Sequence, residues 1–151
     1  MAKRDLFTGL LYARRWPLVG RLAYFALKLL ASEIPLSVNF GEDCLLVHGG
    51  FGVVIHPKTQ VGSRVKIYPG VTLGRADIYV PMEQSAFAGI VVEDDVILSP
   101  GAKVLCREGV LRIGAGAVIG ANAVLLESAG EGEIWAGVPA RRVGERKKPF
   151  A

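Results

Sequence analysis

Apolar residues recur at every sixth position along most of the chain, in four separate runs. Thirteen positions share this spacing: Ile34, Phe40, Leu46, Ile55, Val61, Ile67, Leu73, Val92, Leu98, Val104, Ile113, Ile119 and Leu125. A small or β-branched residue usually follows four positions later, and glycine often follows directly. A period of six fits neither a helix nor a plain strand, but it fits a short strand followed by a tight turn. Three such units would close a triangular coil that stacks on its neighbours, so the pattern predicts a solenoid of parallel strands.

The register of six breaks at three places, and each break predicts a segment that leaves the coil. Three extra residues bulge out within 48–52, a long excursion covers 75–90, and three more protrude near 106–110. Functional sites are often built on such excursions, because the rigid coils hold them in place.

The first 33 residues predict two short helices, one over 6–15 and one over 22–30, separated by Pro17 and Gly20. The apolar residues of the second helix have amphipathic spacing: Leu22, Phe25, Ala26, Leu29 and Leu30. This face either packs against the first coil or a neighbouring subunit, or makes a peripheral membrane contact. The second alternative draws on the cations beside it: Arg14, Arg15, Arg21 and Lys28.

Charge divides the 151 residues into three parts. The helical segment 1–33 carries +4, the predicted coils 34–138 carry −4, and the basic tail 139–151 carries +4. A nucleic-acid-binding protein would more often carry its basic stripe on the folded body, so we expect no nucleic-acid partner. We expect neither a secretory signal nor a spanning helix. Two cysteines make no disulfide framework, which favours a cytoplasmic setting.

From Ile34 to about residue 144, the chain resembles the hexapeptide-repeat acyltransferases. The most specific segments are His48 before Gly52-Val53-Val54-Ile55, the stretch 113–120, and Ala136-Gly137-Val138-Pro139-Ala140-Arg141. The resemblance implies a left-handed parallel β-helix that transfers an acetyl group from acetyl-CoA, assembles as a homotrimer and requires no metal. Within this superfamily the chain looks most like serine acetyltransferases and O-acetyltransferases of polysaccharide pathways.

In that group a histidine in the bulge acts as general base on the acceptor hydroxyl, and His48 occupies this position. An alcohol is a weak nucleophile near neutral pH until a base takes its proton. Serine acetyltransferases support this histidine with a carboxylate fifteen residues upstream. Glu33 stands there, so the resemblance implies a Glu33–His48 dyad and direct transfer without an acyl-enzyme.

Two departures from serine acetyltransferases favour a different acceptor. The acidic residue that precedes the histidine in those enzymes is Val47 here, and the second histidine after the excursion is missing. The excursion instead offers Tyr79, Glu83 and Phe87, which suit stacking on a sugar and hydrogen bonding to it. We therefore expect a sugar or polysaccharide precursor as acceptor, with serine as the alternative.

The resemblance also implies which residues bind the acetyl donor, acetyl-CoA. Pro100 and Gly101 match the first residues of the family's cofactor groove, Ala121 matches the small residue against the pantetheine arm, and Arg141 matches a cation for the phosphates. The Thr-Lys pair that follows the last coil in the family is Leu126-Glu127 here.

Two other functions are possible for a chain with this repeat. A carbonic anhydrase with this fold would need three histidine ligands for zinc, and the chain has two histidines, His48 and His56. A non-catalytic β-helix scaffold would need neither the His48 bulge nor the Gly-Val-Pro-Ala-Arg segment.

Overall fold

The computed structural model describes residues 6–29 and 31–148. The chain begins with two short helices, α1 (Leu6–Ala13) and α2 (Gly20–Leu29). Fourteen strands follow among the described residues: β1 Asn39–Phe40, β2 Leu45–Leu46, β3 Val54–Ile55, β4 Thr59–Val61, β5 Lys66–Ile67, β6 Thr72–Arg75, β7 Phe87–Val92, β8 Ile97–Leu98, β9 Lys103–Cys106, β10 Gly109–Ile113, β11 Val118–Ile119, β12 Val124–Leu125, β13 Glu133–Gly137 and β14 Ala140–Glu145.

From β1 to β12, consecutive strands lie in different sheets, and every third strand returns to the same sheet; β13 and β14 both join the second sheet. The first sheet has the order β1-β4-β7-β10, the second β2-β5-β8-β11-β13-β14, and the third β3-β6-β9-β12. All pairs are parallel except β13 with β14. Three parallel sheets that share one winding chain form a three-sided prism, which confirms the predicted β-helix.

The core contains the residues with the period of six. All thirteen of these positions are buried. Equivalent residues of successive coils stack in register, as Phe40, Val61 and Val92 do in the first sheet. Burying each large aliphatic side chain contributes roughly 1.5–3 kcal/mol to the stability of the fold.

The long excursion is shorter than the sequence pattern predicts. β6 continues to Arg75 and β7 already begins at Phe87, so the loop that leaves the prism covers 76–86 rather than 75–90. The six residues Phe87–Val92 pair with β10 and, in their second half, with β4. Main-chain pairing to both neighbouring coils draws these residues into the sheet.

The second helix packs on a face that the sequence analysis does not identify. Gly20, Ala23 and Leu27 are buried, whereas Leu22, Phe25 and the adjacent Leu29 face solvent. Leu30 lies outside the described residues. The expected packing of the Leu22–Phe25 face against the first coil is therefore wrong, because small residues allow the closer approach on the opposite side. Neither helix in the described part of the chain is long and apolar enough to cross a bilayer.

The C-terminal residues are more ordered than a basic tail suggests. β14 pairs antiparallel with β13 and extends the second sheet by one strand. Trp135 lies at this end of the core, with its indole N–H donating to a Glu133 carboxylate oxygen over 2.9 Å. The hairpin thus covers the last coil.

Candidate active site

His48 lies on a tight turn at the corner that follows the second sheet. The turn is a 3₁₀ segment over Val47–Gly50, and His48 and Gly49 both have left-handed backbone angles, with φ of 50° and 78°. A Cβ at Gly49 would come within 3.0 Å of the Phe7 ring, so this position also has no room for a side chain. The turn pushes His48 outward, and its side chain is exposed.

Two contacts from the N-terminal segment hold this turn. The Ser32 hydroxyl donates a 2.6 Å hydrogen bond to the carbonyl oxygen of Gly50. The rings of Phe7 in α1 and Phe51 meet edge to face with centroids 5.5 Å apart. Both Ser32 and Gly50 are buried, so the bond lies in a low-dielectric environment where its loss is costly.

The imidazole of His48 meets the ring of Tyr68 edge to face, with centroids 6.2 Å apart. Tyr68 occupies the same corner one coil further on, directly after the second sheet. An exposed imidazole beside an aromatic ring is accessible to a hydroxyl-bearing ligand and can accept its proton.

Glu33 lies next to this corner, but its carboxylate is directed to Lys28. Its backbone pairs with the segment after the turn: its N–H donates to Val53 over 2.7 Å and its carbonyl accepts from Ile55 over 2.9 Å. The carboxylate lies 3.7 Å from the Lys28 ammonium, and both side chains are about half exposed. Among residues 6–29 and 31–148, no hydrogen bond joins Glu33 to His48. The dyad therefore stays a prediction.

Below His48, the same corner is built from glycines. Gly52, Gly70 and Gly101 all have left-handed backbones, and we call them the glycine row. A Cβ at Gly70 would lie 3.5 Å from the Cα of Gly101, so successive coils meet here with no intervening side chain. The coils are tied together by backbone bonds of 2.8 Å, from Gly70 to Phe51 and from Gly101 to Pro69.

The predicted donor residues lie along this row. Pro100 and Gly101 are two coils from His48, and Ala121 is three coils away; coil spacings of about 4.8 Å put them roughly 10–15 Å along the edge. In the fourth coil, Asn122 occupies the position equivalent to these glycines, and its backbone is also left-handed. The glycine row therefore continues from the histidine turn, and the Asn122 side chain lies over Gly101, where a Cβ would clash with the Asn122 Oδ1.

Two residues at this corner escape the sequence analysis. Tyr68 contacts His48, and the Lys103 ammonium donates to the carbonyl oxygen of Gly70 within the glycine row. Tyr68 directly follows a period-six residue, Ile67, as Val47 follows Leu46. That shared position is the signal that would have placed Tyr68 beside the bulge.

Arg141 lies on β14, at the C-terminal end of the prism. Its side chain is 68% exposed and lies 3.7 Å from the Glu127 carboxylate, which is also exposed. An exposed pair of this kind contributes about 0–1 kcal/mol, so it leaves the guanidinium able to bind a phosphate. Ala121 lies in the turn between β11 and β12, and Arg141 lies on β14, with strand β13 between β11 and β14 in the second sheet.

The excursion residues lie at another corner, the one that follows the third sheet. Tyr79 and Glu83 are exposed, but Phe87 is 2% exposed. The prediction that Phe87 stacks on a ligand is wrong, because its ring packs edge to face against His56 with centroids 4.7 Å apart. Within one chain, the excursion and His48 are not brought together.

A buried acid gives the excursion its shape. The Asp77 carboxylate accepts a 2.6 Å hydrogen bond from the Ser85 hydroxyl and lies 3.7 Å from the Arg75 guanidinium. Arg75 also donates to the carbonyl oxygen of Val80 over 2.7 Å. These bonds cross the loop and fix its shape, with Tyr79 exposed at its surface.

His56 is half-buried at the same corner. Burial lowers its pKa from the ordinary value, and the charges of Lys58 and Arg75 lower it further. Its Nδ1 accepts a 3.1 Å hydrogen bond from the Lys58 backbone N–H. The neutral ring acts as a packing partner of Phe87 rather than as a solvated residue.

Both cysteines are free and buried. Burial raises the pKa of the Cys44 thiol and of the Cys106 thiol. The thiolate is the nucleophilic form, so neither side chain is suited to carry an acyl group.

The prism, its outward histidine and its glycine row define a left-handed parallel β-helix of the hexapeptide-repeat acyltransferase class. Comparison with known proteins makes the family specific: the chain belongs to the serine acetyltransferase family. It is 32% identical over 134 residues to the serine acetyltransferase of Helicobacter pylori J99, covering 88% of this chain and 73% of that protein.

Two further relatives agree. The serine acetyltransferase of Bacillus licheniformis is 34% identical over 116 residues, covering 77% of this chain and 50% of that protein. A crystallised serine acetyltransferase in complex with CoA superimposes with a TM-score of 0.68 at 26% identity, covering 92% of this chain and 58% of that one. The chain thus spans about half the length of several relatives that it matches. No protein-family model matches it.

Proposed function

We propose that this chain is an acetyl-CoA-dependent serine O-acetyltransferase, with His48 as general base. The observation that carries the proposal is the exposed His48 at the head of the glycine row. The relatives bear serine acetyltransferase names, so they favour serine, the alternative in the sequence analysis, over the sugar acceptor expected first.

In the proposed reaction, His48 takes the proton of the acceptor hydroxyl, and the hydroxyl oxygen attacks the thioester carbonyl. The C–S bond then breaks, and the imidazolium returns the proton to the leaving CoA thiolate. Backbone N–H groups of the corner stabilise the developing oxyanion. The raised thiol pKa values of both cysteines favour this direct transfer over an acyl-enzyme.

The donor lies along the glycine row in this proposal. A pantetheine arm can lie along the row, because Gly52 and Gly70 add no side chain between the coils. Its amides can bond to the main chain of the corner, and Ala121 leaves room beside them. The diphosphate and 3′-phosphate then approach Arg141, whose exposed guanidinium can make charge-assisted bonds.

Glu33 is proposed as a positioning residue for His48. The adjacent Ser32 already reaches the His48 turn, and the ion pair between Glu33 and Lys28 is exposed and weak. A side-chain rotation from Lys28 to the imidazole would hold the ring and stabilise its protonated form.

A complete site is proposed to need more than one copy, in a homotrimer. The excursion with Tyr79 and Glu83 leaves from a different corner than His48. An acceptor bound at His48 can meet these side chains only where another subunit presents its excursion. The proposed setting is the cytoplasm, which is compatible with two free thiols.

A sugar hydroxyl is the second candidate acceptor. Val47 stands where serine acetyltransferases have an acidic residue that binds serine, and Tyr79 and Glu83 are exposed on the excursion. Both features favour a larger, neutral acceptor.

The deciding experiment measures thiol release from acetyl-CoA with L-serine, simple sugars and nucleotide-sugars as acceptors. We expect release with serine, and a loss of about 10²–10⁴-fold in kcat for His48→Ala. The control variant His56→Gln alters the other histidine, at a different corner, and should retain activity. Release only with a sugar would replace serine by the second candidate. Saturable acetyl-CoA binding without release under any condition would contradict both acceptors, and no binding would favour the scaffold.

A further inference from the structure

The outer side of the helical segment carries an apolar surface that faces solvent. Four side chains form it, and we call it the outer face: Leu18, Leu22, Phe25 and Leu29. They are 93%, 71%, 58% and 88% exposed, respectively. Scattered exposed leucines are common on proteins, but a continuous row on one side of a helix marks an interaction site.

The outer face is not the side by which the helix holds to its own chain. Leu22, Phe25 and Leu29 follow i, i+3, i+7 spacing and so form one stripe. Ala23 and Leu27, on the opposite side of α2, are buried. The helix therefore has two apolar stripes, and only the inner one is used by the fold.

The charges beside the outer face are mostly positive. Residues 6–32 contain four cations and no acid, and Glu33 directly after them pairs with Lys28 over 3.7 Å. Arg14 and Arg15 donate to the carbonyl oxygens of Pro35 and Phe40 in the first coil, so they belong to the helix–prism interface. Arg21 and Lys28 are exposed and lie on the same flank of the outer face, seven residues or about two helical turns apart.

Trp16, in the connection between the two helices, is also exposed, at 68%. An indole with an apolar body and a polar N–H is typical of the boundary between lipid and water.

A two-fold contact with a second copy of the chain fits this surface less well. In a two-fold contact the same patch meets itself, so Arg21 and Lys28 of one copy would approach the same cations of the other. The nearest acid, Glu33, is an exposed partner of Lys28 at the end of the segment. The surface of an anionic lipid bilayer can bury the apolar stripe and also attract the cations on its flank.

We infer that the outer face docks this protein peripherally on an anionic lipid bilayer. Leu18, Leu22, Phe25 and Leu29 enter the boundary between headgroups and acyl chains, and Arg21 and Lys28 lie at the headgroup level. Such in-plane helices bind through buried apolar area together with attraction to anionic lipid. The inference is independent of the acceptor and of the acetyl transfer.

The test is co-sedimentation of the full chain with vesicles of phosphatidylcholine alone and of phosphatidylcholine with phosphatidylglycerol. We expect binding to the anionic vesicles that weakens in high salt. Leu22→Ser/Phe25→Ser should lower the partition coefficient at least about tenfold, and Arg21→Gln should lower it about fivefold. Val143→Ser is the matched control, because Val143 is an exposed apolar residue at the other end of the prism.

All variants are at exposed positions, and unchanged circular dichroism and acetyl-CoA binding verify that each is folded. Equal binding to neutral and anionic vesicles would overturn the assignment of an anionic surface. Absence of vesicle binding would overturn the inference altogether. The inference would also be overturned if sedimentation velocity showed a self-associated species that the double variant does not form, since a second copy would then cover the outer face.

Discussion

The Ser32 hydroxyl is hydrogen-bonded over 2.6 Å to the carbonyl oxygen of Gly50, two residues beyond His48. Ser32 follows the helical segment, while Gly50 belongs to the first coil. This single buried bond therefore couples the N-terminal segment to the turn that presents the histidine.

Ser32→Ala removes that bond and leaves the Gly50 carbonyl oxygen with the Val53 backbone N–H as its donor, over 3.1 Å. We expect a loss of about 0.5–1.5 kcal/mol in the free energy of unfolding, measured by urea titration, and a lower kcat because the turn is less well held. Ser37→Ala is the matched control: Ser37 is exposed and its 3.4 Å bond to Pro57 is long. Equal effects of the two variants would contradict a special role for Ser32.

Glu33→Gln tests the proposed positioning of His48. We expect kcat to fall about tenfold and the acidic limb of its pH profile to move to lower pH, since an imidazolium loses a stabilising carboxylate. Lys28→Gln breaks the observed ion pair but keeps Glu33, so it should leave kcat within about twofold. An unchanged kcat and pH profile in Glu33→Gln would remove the carboxylate from the mechanism.

Gly70→Ala adds a methyl group to the glycine row at a left-handed backbone angle, with φ of 74°. We expect a stability loss of about 1–2 kcal/mol from the backbone strain, together with weaker acetyl-CoA binding by calorimetry.

Gly109→Ala provides the control for backbone strain alone. Its φ is 62°, but a Cβ there would meet nothing within 4 Å, and it lies off the row. It should cost similar stability while leaving the dissociation constant of acetyl-CoA unchanged. Identical binding in both variants would place the donor elsewhere.

Arg141→Ala tests the phosphate end of the donor site. Loss of a charge-assisted bond corresponds to about 1.5–3 kcal/mol, so the KM for acetyl-CoA should rise roughly ten- to a hundredfold with little change in kcat. Arg112→Ala removes another exposed arginine, paired with Glu93 in the first sheet, and should leave KM unchanged. A normal KM in Arg141→Ala would exclude this side chain from phosphate binding.

The lowered pKa of His56 predicts that the stability of the fold decreases at acidic pH. Its pKa is lowered by burial first and by Lys58 and Arg75 next, so the unfolded chain binds a proton more readily than the folded one. The stabilisation from neutral His56 is therefore fully present above the pKa of the unfolded chain, about 6.5, and it is lost as pH falls below that value. Urea unfolding at pH 7.5 and 5.5 should show a smaller difference for His56→Gln than for the unaltered chain. The same difference in both proteins would contradict this contribution.

The sequence by itself determined the architecture of the prism. A period of six residues corresponds to one strand and one turn, and the buried apolar positions follow it in all four runs. The bulge at His48 was visible as well, because three extra residues cannot fit a repeat of that length.

The tertiary structure decided which residues meet at the corners and which face of the helix is used. Pairing of β7 with two neighbouring coils buries Phe87 and brings it against His56, which the linear pattern does not show. Tertiary packing also decides which face of α2 is buried. Leu22 and Phe25 are more apolar than Gly20 and Ala23, but the smaller residues allow a closer approach to the rest of the chain. Spacing along the chain records which positions share a side, whereas steric fit between elements decides which side is buried.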